Sequence, residues 1–181
     1  MRKPVLTDIE MARFLAQIDL LADAVIASGW RPDWIVGIGR GGLAPATWLS
    51  HALGRPMLSV DLSAQVPAFA ETLLGELRLR VKAGERLLVV DDINDSGRTI
   101  LRLRSALGEA DAALLRVAVL IDNSRSAARV DYRAETIDRA VTKDWFVFPW
   151  EKAASRASIL ADWGEQPDRT APSRRQHSRF Q

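Results

Sequence analysis

The stretch Leu87-Leu88-Val89-Val90-Asp91-Asp92-Ile93-Asn94-Asp95-Ser96-Gly97-Arg98-Thr99 decides the fold. Its four leading apolar residues, β-branched at Val89 and Val90, form a short run bounded by polar residues. That is the pattern of a buried parallel strand. Beyond Thr99, the apolar residues Ile100, Leu101, Leu103 and Leu107 space the buried face of a helix. The adjacent carboxylates Asp91 and Asp92 therefore stand at the carboxyl end of a strand, where open α/β sheets bind ligands. Ser96-Gly97-Arg98-Thr99 opens the helix, where unpaired backbone N–H groups and the helix dipole favour a phosphate. Carboxylates for sugar hydroxyls beside a phosphate cradle describe a site for ribose 5-phosphate.

Two further segments fit around this one. Trp34-Ile-Val-Gly-Ile-Gly-Arg-Gly-Gly-Leu-Ala-Pro-Ala46 runs strand, glycine-rich turn, helix. Its glycines let backbone approach a ligand closely, and Arg40 sets a cation with a fixed charge beside Gly41. Trp145-Phe-Val-Phe-Pro-Trp-Glu151 joins an aromatic strand to a carboxylate. By itself it reads as an edge strand with aromatic packing.

Outward from these segments, strands and helices alternate. Thr7 and Glu10 have capping-box spacing, and an apolar stripe from Phe14 to Ile26 predicts a first helix over residues 7–28, stopped by Gly29. Residues 35–38 read as a strand, 43–53 as a helix ended by Gly54, and 56–61 as a second strand. The Leu/Arg alternation of residues 77–81 predicts a half-exposed strand. Residues 62–76 carry no clear pattern beyond a short helix. After the central strand and helix come a buried strand at 114–121, a polar stretch, and the aromatic strand from Trp145. This alternation predicts an α/β fold: a mostly parallel sheet with helices on both faces.

The 181 residues suffice for one α/β domain with a substantial core and are too few for two ordinary ones. There is no cysteine, and the two histidines, His51 and His177, are too few for a His-rich metal site. A cytoplasmic protein is the simplest reading. The N-terminus lacks the apolar core of a signal peptide, and no apolar run is long enough to span a membrane. Residues 152–181 carry six Lys/Arg against three acids, so the overall charge of +2 leaves residues 1–151 at −1. Basicity belongs to the end of the chain, and the body offers no nucleic-acid surface. Residues 1–165 are expected to form the domain, with its core over 30–151. Residues 166–181, rich in Arg, Ser and Pro, have the composition of a disordered tail.

The central segment resembles the phosphoribosyl-pyrophosphate (PRPP) signature of the type I phosphoribosyltransferases, with Ser96 where that family usually has Thr. The glycine-rich turn is similar to the family's pyrophosphate loop, and residues 145–151 to the base-binding segment of its bacterial and archaeal xanthine, guanine and hypoxanthine enzymes. The resemblance covers residues 30–151. It implies a single domain of that fold with a small hood segment, and transfer of ribose 5-phosphate from PRPP to a purine in the presence of Mg²⁺. It also implies roles. Asp91 and Asp92 would fix the ribose hydroxyls, directly or through the metal. Ser96, Gly97, Arg98 and Thr99 would hold the 5-phosphate, and Arg40 and Gly41 the leaving pyrophosphate. Asp95 would accept the proton of the attacking base nitrogen. Trp145 would stack on the base while the backbone of Phe146 reads its edge. Glu151 would close the site near the metal, making Asp92 and Glu151 its protein ligands. A homodimer or higher homo-oligomer is the expected assembly, with no membrane and no nucleic acid as partner.

Two departures bear on the substrate. Purine members usually place a base-reading lysine after the strand that follows the signature, where this chain has Asp122 or Asn123; Arg125 or Lys143 would then have to supply the donor. The mobile loop expected within residues 62–76 lacks the Ser-Tyr pair that many members close over PRPP and carries Ser63-Ala-Gln-Val-Pro-Ala-Phe-Ala70 instead. The alternative to a 6-oxopurine transferase is a regulator on the same fold that senses PRPP or a nucleotide.

Overall fold

The computed structural model describes residues 5–61, 67–108 and 113–164. In order, the chain forms β1 (Leu6–Asp8), α1 (Met11–Ala27), β2 (Trp34–Ile38), α2 (Gly39–Leu53), β3 (Met57–Val60), α3 (Pro67–Lys82) and β4 (Leu87–Asn94). There follow α4 (Arg98–Leu107), β5 (Leu115–Asn123), β6 (Tyr132–Ile137), β7 (Trp145–Val147), a 3₁₀ turn (Pro149–Ala153) and α5 (Arg156–Gly164). The proposed tail, 166–181, and residues 62–66 of the expected mobile loop lie outside the described residues.

Five strands make an all-parallel sheet in the order β3-β2-β4-β5-β6, and β1 pairs with β7 in a separate parallel ribbon, the hood. The period of two along β4 builds two cores. Leu88 and Val90 face α1 and α2, packing with Phe14, Ile18, Leu21 and Leu49. Leu87 and Val89 face α3 and α4, packing with Leu74, Leu77, Ile100 and Leu103. All four of these β4 residues are fully buried, as a parallel strand covered on both faces requires.

Three sequence expectations need correction. Thr7 does not cap a helix: it pairs with Phe146 in the β1–β7 ribbon, and its hydroxyl donates to Asp144 Oδ2 at 2.6 Å. Helix α1 begins only at Met11, with Glu10 at the N-cap and no side-chain cap. The segment 77–81 is helical, inside α3. Ala70, Leu74, Leu77 and Val81 are buried along it, spaced three and four apart, while Leu79 is 63% exposed, so the alternation is one turn of an amphipathic helix. Residues 67–76, two thirds of the segment expected to hold the loop, are the start of that helix.

Helix α2 starts at Gly39, four residues before its predicted start. With φ at +54°, Gly39 turns the chain from strand to helix without a connecting residue. At the other end of α2, Gly54 takes the expected left-handed cap, φ +60°.

Candidate active site

The strand order places a cleft where β2 leads to β3 on one side and β4 leads to β5 on the other. Such a reversal leaves an open crevice at the carboxyl ends of the two strands. Strand β2 pairs with β4 only as far as Gly37–Val90, whereas β4 continues beside β5 to Asn94–Asp122. Residues 91–94 therefore project past β2 toward the first turn of α2. That turn lies directly on the strand: a Cβ at Gly42 would strike the Val90 carbonyl oxygen. A Cβ at Gly41 would come within 2.5 Å of Asp92 Oδ2 and 2.9 Å of its Oδ1. The result is a cleft of about 950 Å³. Every residue to which the resemblance assigns a role lines it except Phe146, which lines a smaller pocket of about 180 Å³ that shares Asp92, Asp95, Trp145 and Glu151 with the cleft.

At one end lies the N-terminus of α4. Gly97 occupies the N-cap with φ +84° and has no side-chain cap, so the first-turn N–H groups open onto the cleft beside exposed Ser96, Arg98 and Thr99. Only glycine fits here. A Cβ would lie 2.5 Å from the Ala128 amide nitrogen and 2.8 Å from Ser126 Oγ. The turn is fixed from below by Asn94, a residue the sequence reading passed over. Buried Asn94 donates through Nδ2 to Asp122 Oδ1 at 2.8 Å and Ala128 O at 2.9 Å, and its Oδ1 accepts from Ser126 Oγ at 2.8 Å. Its neighbours' acids had masked it in the sequence.

The centre of the cleft is acidic. Asp91 Oδ1 accepts from the Asp92 amide at 3.0 Å, and Asp92 Oδ1 from the Ile93 amide at 2.7 Å. Glu151 accepts from the Phe148 amide at 2.8 Å, which fixes it at the start of the 3₁₀ turn. Burial, and then the charge of Glu151, push the Asp92 carboxyl up to about 7. Burial, and then the charge of Asp92, raise Asp91 well above the ordinary carboxylate range. Carboxylates that resist ionising together call for a proton or a cation between them. Among the described residues no cluster of three acidic or histidine side chains could hold a metal alone. This donor set suits Mg²⁺ shared with a phosphorylated ligand.

The smaller pocket forms the other end. Trp145 N–H donates to Val5 O, and Val147 O accepts from Ile9 N–H, each at 2.8 Å. Successive residues of a strand point opposite ways, so the Phe146 peptide groups face the far edge of β7, which no described strand covers. Beside them lies Arg139, a buried arginine the sequence reading missed. Its Nε donates to Asp95 Oδ1 at 3.0 Å, its Nη1 to the Thr142 and Asp144 carbonyls at 3.3 and 2.6 Å, and its Cζ lies 5.2 Å from the Phe146 ring centroid.

The cations nominated from the sequence do not stand here. Arg125 has a 63% exposed side chain and pairs with Asp138 at 2.5 Å. Lys143 Nζ donates to Arg139 O at 2.6 Å. Neither lines the pocket. Asn123, at the expected lysine position, braces the site: its Nδ2 donates to Asp95 O at 2.9 Å and its Oδ1 accepts from the Arg139 amide at 3.2 Å. Arg139 sits in a polar stretch with no periodicity, so nothing in its sequence context marked it.

Residues 8–154 match the family model of the phosphoribosyl transferase domain. The chain belongs to that family. A curated relative, orotate phosphoribosyltransferase of Pyrococcus furiosus, is 28% identical over 125 residues, covering 69% of this chain and 65% of the relative. The match thus spans a little under two thirds of that protein's length. Among solved structures, a purine phosphoribosyltransferase from Pyrococcus horikoshii is 25% identical with a TM-score of 0.61, covering 81% of this chain and 93% of that one. The Helicobacter pylori xanthine-guanine-hypoxanthine phosphoribosyltransferase shares the fold at 18% identity and a TM-score of 0.62, covering 89% and 99%. The domain is a single α/β unit of the type I phosphoribosyltransferase fold.

Proposed function

We propose that this phosphoribosyl transferase domain moves ribose 5-phosphate from PRPP to a purine base, with a 6-oxopurine favoured, giving a nucleoside monophosphate and pyrophosphate. One observation carries the reading. The uncapped N-terminus of α4, the Asp91–Asp92 pair and the Arg40–Gly41 turn all line a single cleft.

The chemistry follows from that arrangement. The N–H groups after Gly97, with the Ser96 and Thr99 hydroxyls, hold the 5-phosphate. Asp91 and Asp92 take the ribose hydroxyls. Breaking the anomeric C–O bond builds positive charge on the sugar and negative charge on the departing pyrophosphate. The carboxylates stabilise the first, and Arg40 with the α2 N-terminus stabilises the second. Asp92 and Glu151 would hold a Mg²⁺ ion, which would supply further neutralisation of the pyrophosphate. The base lies against Trp145, whose indole face gains about 1–3 kcal/mol from stacking, with its edge on the Phe146 peptide. Asp95 accepts the proton from the attacking ring nitrogen, its Oδ1 held in place by Arg139.

A pyrimidine bearing a carboxylate is the second reading. It is favoured by the orotate name of the curated relative and by a buried arginine at the base end. Pyrophosphate release from PRPP and Mg²⁺, measured with adenine, guanine, hypoxanthine, xanthine, uracil and orotate, separates these readings. Turnover with a 6-oxopurine supports the proposal, and turnover confined to orotate replaces it with the second. PRPP binding without turnover of any base would instead make the protein a sensor.

A further inference from the structure

We infer that Arg139 selects the base, taking one that presents an oxygen acceptor (a ring carbonyl or a carboxylate) and refusing one that presents an amino group. The inference rests on the transferase reading and names the atom that reads the base within it. A guanidinium has five N–H donors and no acceptor. Nε spends its one hydrogen on Asp95 Oδ1, and the two of Nη1 go to the carbonyls of Thr142 and Asp144. Both hydrogens of Nη2 remain, with no hydrogen bond to them among the described residues.

Nothing about this side chain is loose. It is 6% exposed, its amide donates to Asn123 Oδ1 at 3.2 Å, and its guanidinium packs 5.2 Å from the Phe146 ring centroid. It lines the 180 Å³ pocket together with Trp145, Phe146 and Asp95. Such anchoring leaves two donors at a fixed place on the wall of an aromatic-lined pocket.

Fixed donors discriminate. A keto or carboxylate oxygen satisfies them. An exocyclic amino group brings more N–H against N–H beside a permanent positive charge, so the site's polar groups stay unpaired. The acidic side chains that line the same pocket are Asp95, paired with Arg139, and Asp92 and Glu151. The selecting group thus comes from the segment between β6 and β7, while Asn123 at the end of β5 only braces it.

The test measures kcat/KM for hypoxanthine, guanine, orotate and adenine on the wild-type protein, Arg139→Met and Arg139→Lys. The wild type should prefer its best oxygen-bearing base to adenine by about 100-fold or more. Arg139→Met should lower kcat/KM for that base at least about 30-fold, mainly through the KM of the base. The fall should be at least about tenfold smaller for adenine, KM for PRPP should stay within about threefold, and Arg139→Lys should recover part of the preference. A parallel fall for every base, or an unchanged preference, would show that Arg139 only shapes the pocket and overturn the inference. If Arg139→Met does not fold, Arg139→Lys decides: the preference must narrow at least about fivefold. Turnover confined to orotate defeats the purine reading but leaves this inference standing if Arg139→Met abolishes it. If no base is turned over, the transferase reading fails. Calorimetric titration with inosine, orotidine and adenosine monophosphates then decides, since equal affinity for all three would overturn the role of Arg139.

Discussion

Arg139 and Asp95, 44 residues apart in the chain, are joined in an enclosed ion pair: Nε to Oδ1 is 3.0 Å, with the side chains 6% and 17% exposed. The pair ties the turn after β4 to the segment between β6 and β7. Removing one partner from such a pair leaves a buried charge uncompensated, at a cost of about 3–5 kcal/mol. Asp95→Ala should therefore lower the unfolding free energy by about that amount in urea titration. In a double-mutant cycle, Asp95→Ala with Arg139→Met should cost clearly less than the sum of the single changes. Additive losses would mean that the two side chains are not coupled.

The adjacent glycines Gly41 and Gly42 should respond differently to the same substitution. Gly41→Ala sets a methyl against the Asp92 carboxylate, a side chain that can rotate away. Stability should change by less than about 1 kcal/mol, while transfer activity falls at least about tenfold because the carboxylate leaves its position. In Gly42→Ala the methyl meets the Val90 backbone carbonyl, which cannot move without shifting β4. That variant should lose about 2–4 kcal/mol. Thermal melts beside initial rates distinguish the two. Equal stability losses would contradict this placement of α2.

Gly97→Val tests the phosphate cradle. Valine at φ +84° is strained by about 1–3 kcal/mol, and its Cβ would press on the Ala128 amide nitrogen. Affinity for a nucleoside 5′-monophosphate, measured by calorimetry on folded variant, should drop at least about 30-fold. Wild-type affinity would place the phosphate somewhere other than the start of α4.

The acidic centre gives the protein a distinctive pH dependence. The Asp92 carboxyl is raised to about 7 by burial and then by the charge of Glu151, and Asp91 is raised by burial and by Asp92. A carboxyl with a raised pKa holds its proton longer in the folded state than in the unfolded one. Its contribution is full below about pH 4 and is lost as pH rises to about 7. Asp92→Asn should thus match wild-type stability near pH 4 and exceed it by about 1–3 kcal/mol above pH 7, while transfer activity collapses. Urea midpoints of the two proteins across this range give the answer. A stability difference that does not vary with pH would mean that Asp92 ionises freely.

The sequence by itself determined strands β2 to β5 of the sheet, its two-faced burial and the chemical character of the cleft, but not the edge strand β6, which lies in the stretch that reads as merely polar. Those properties are local. The apolar run at residues 87–90, the Asp91–Asp92 pair at its end and the glycine at the start of α4 are neighbours in the chain, and backbone geometry alone puts them together. Where the reading failed, a distant contact had overridden a local pattern. Thr7 looked like a helix cap because the spacing to Glu10 allows it, yet β7 recruits it into a ribbon across 139 residues. Residues 77–81 alternate like a strand in polarity, although in the helix it is Leu79 that is exposed while Arg78 and Arg80 are half-buried.

Only tertiary structure could decide which cation lines the smaller pocket. Arg125, Arg139 and Lys143 all lie in one polar stretch without periodicity, and each has the chemistry for the task. Arg139 alone meets Asn123, Asp95 and the Phe146 ring, groups brought together from the ends of three strands. Burying this guanidinium demands partners for its Nε and Nη1 donors. That requirement can be met only by groups the fold assembles, so it leaves no mark along the chain.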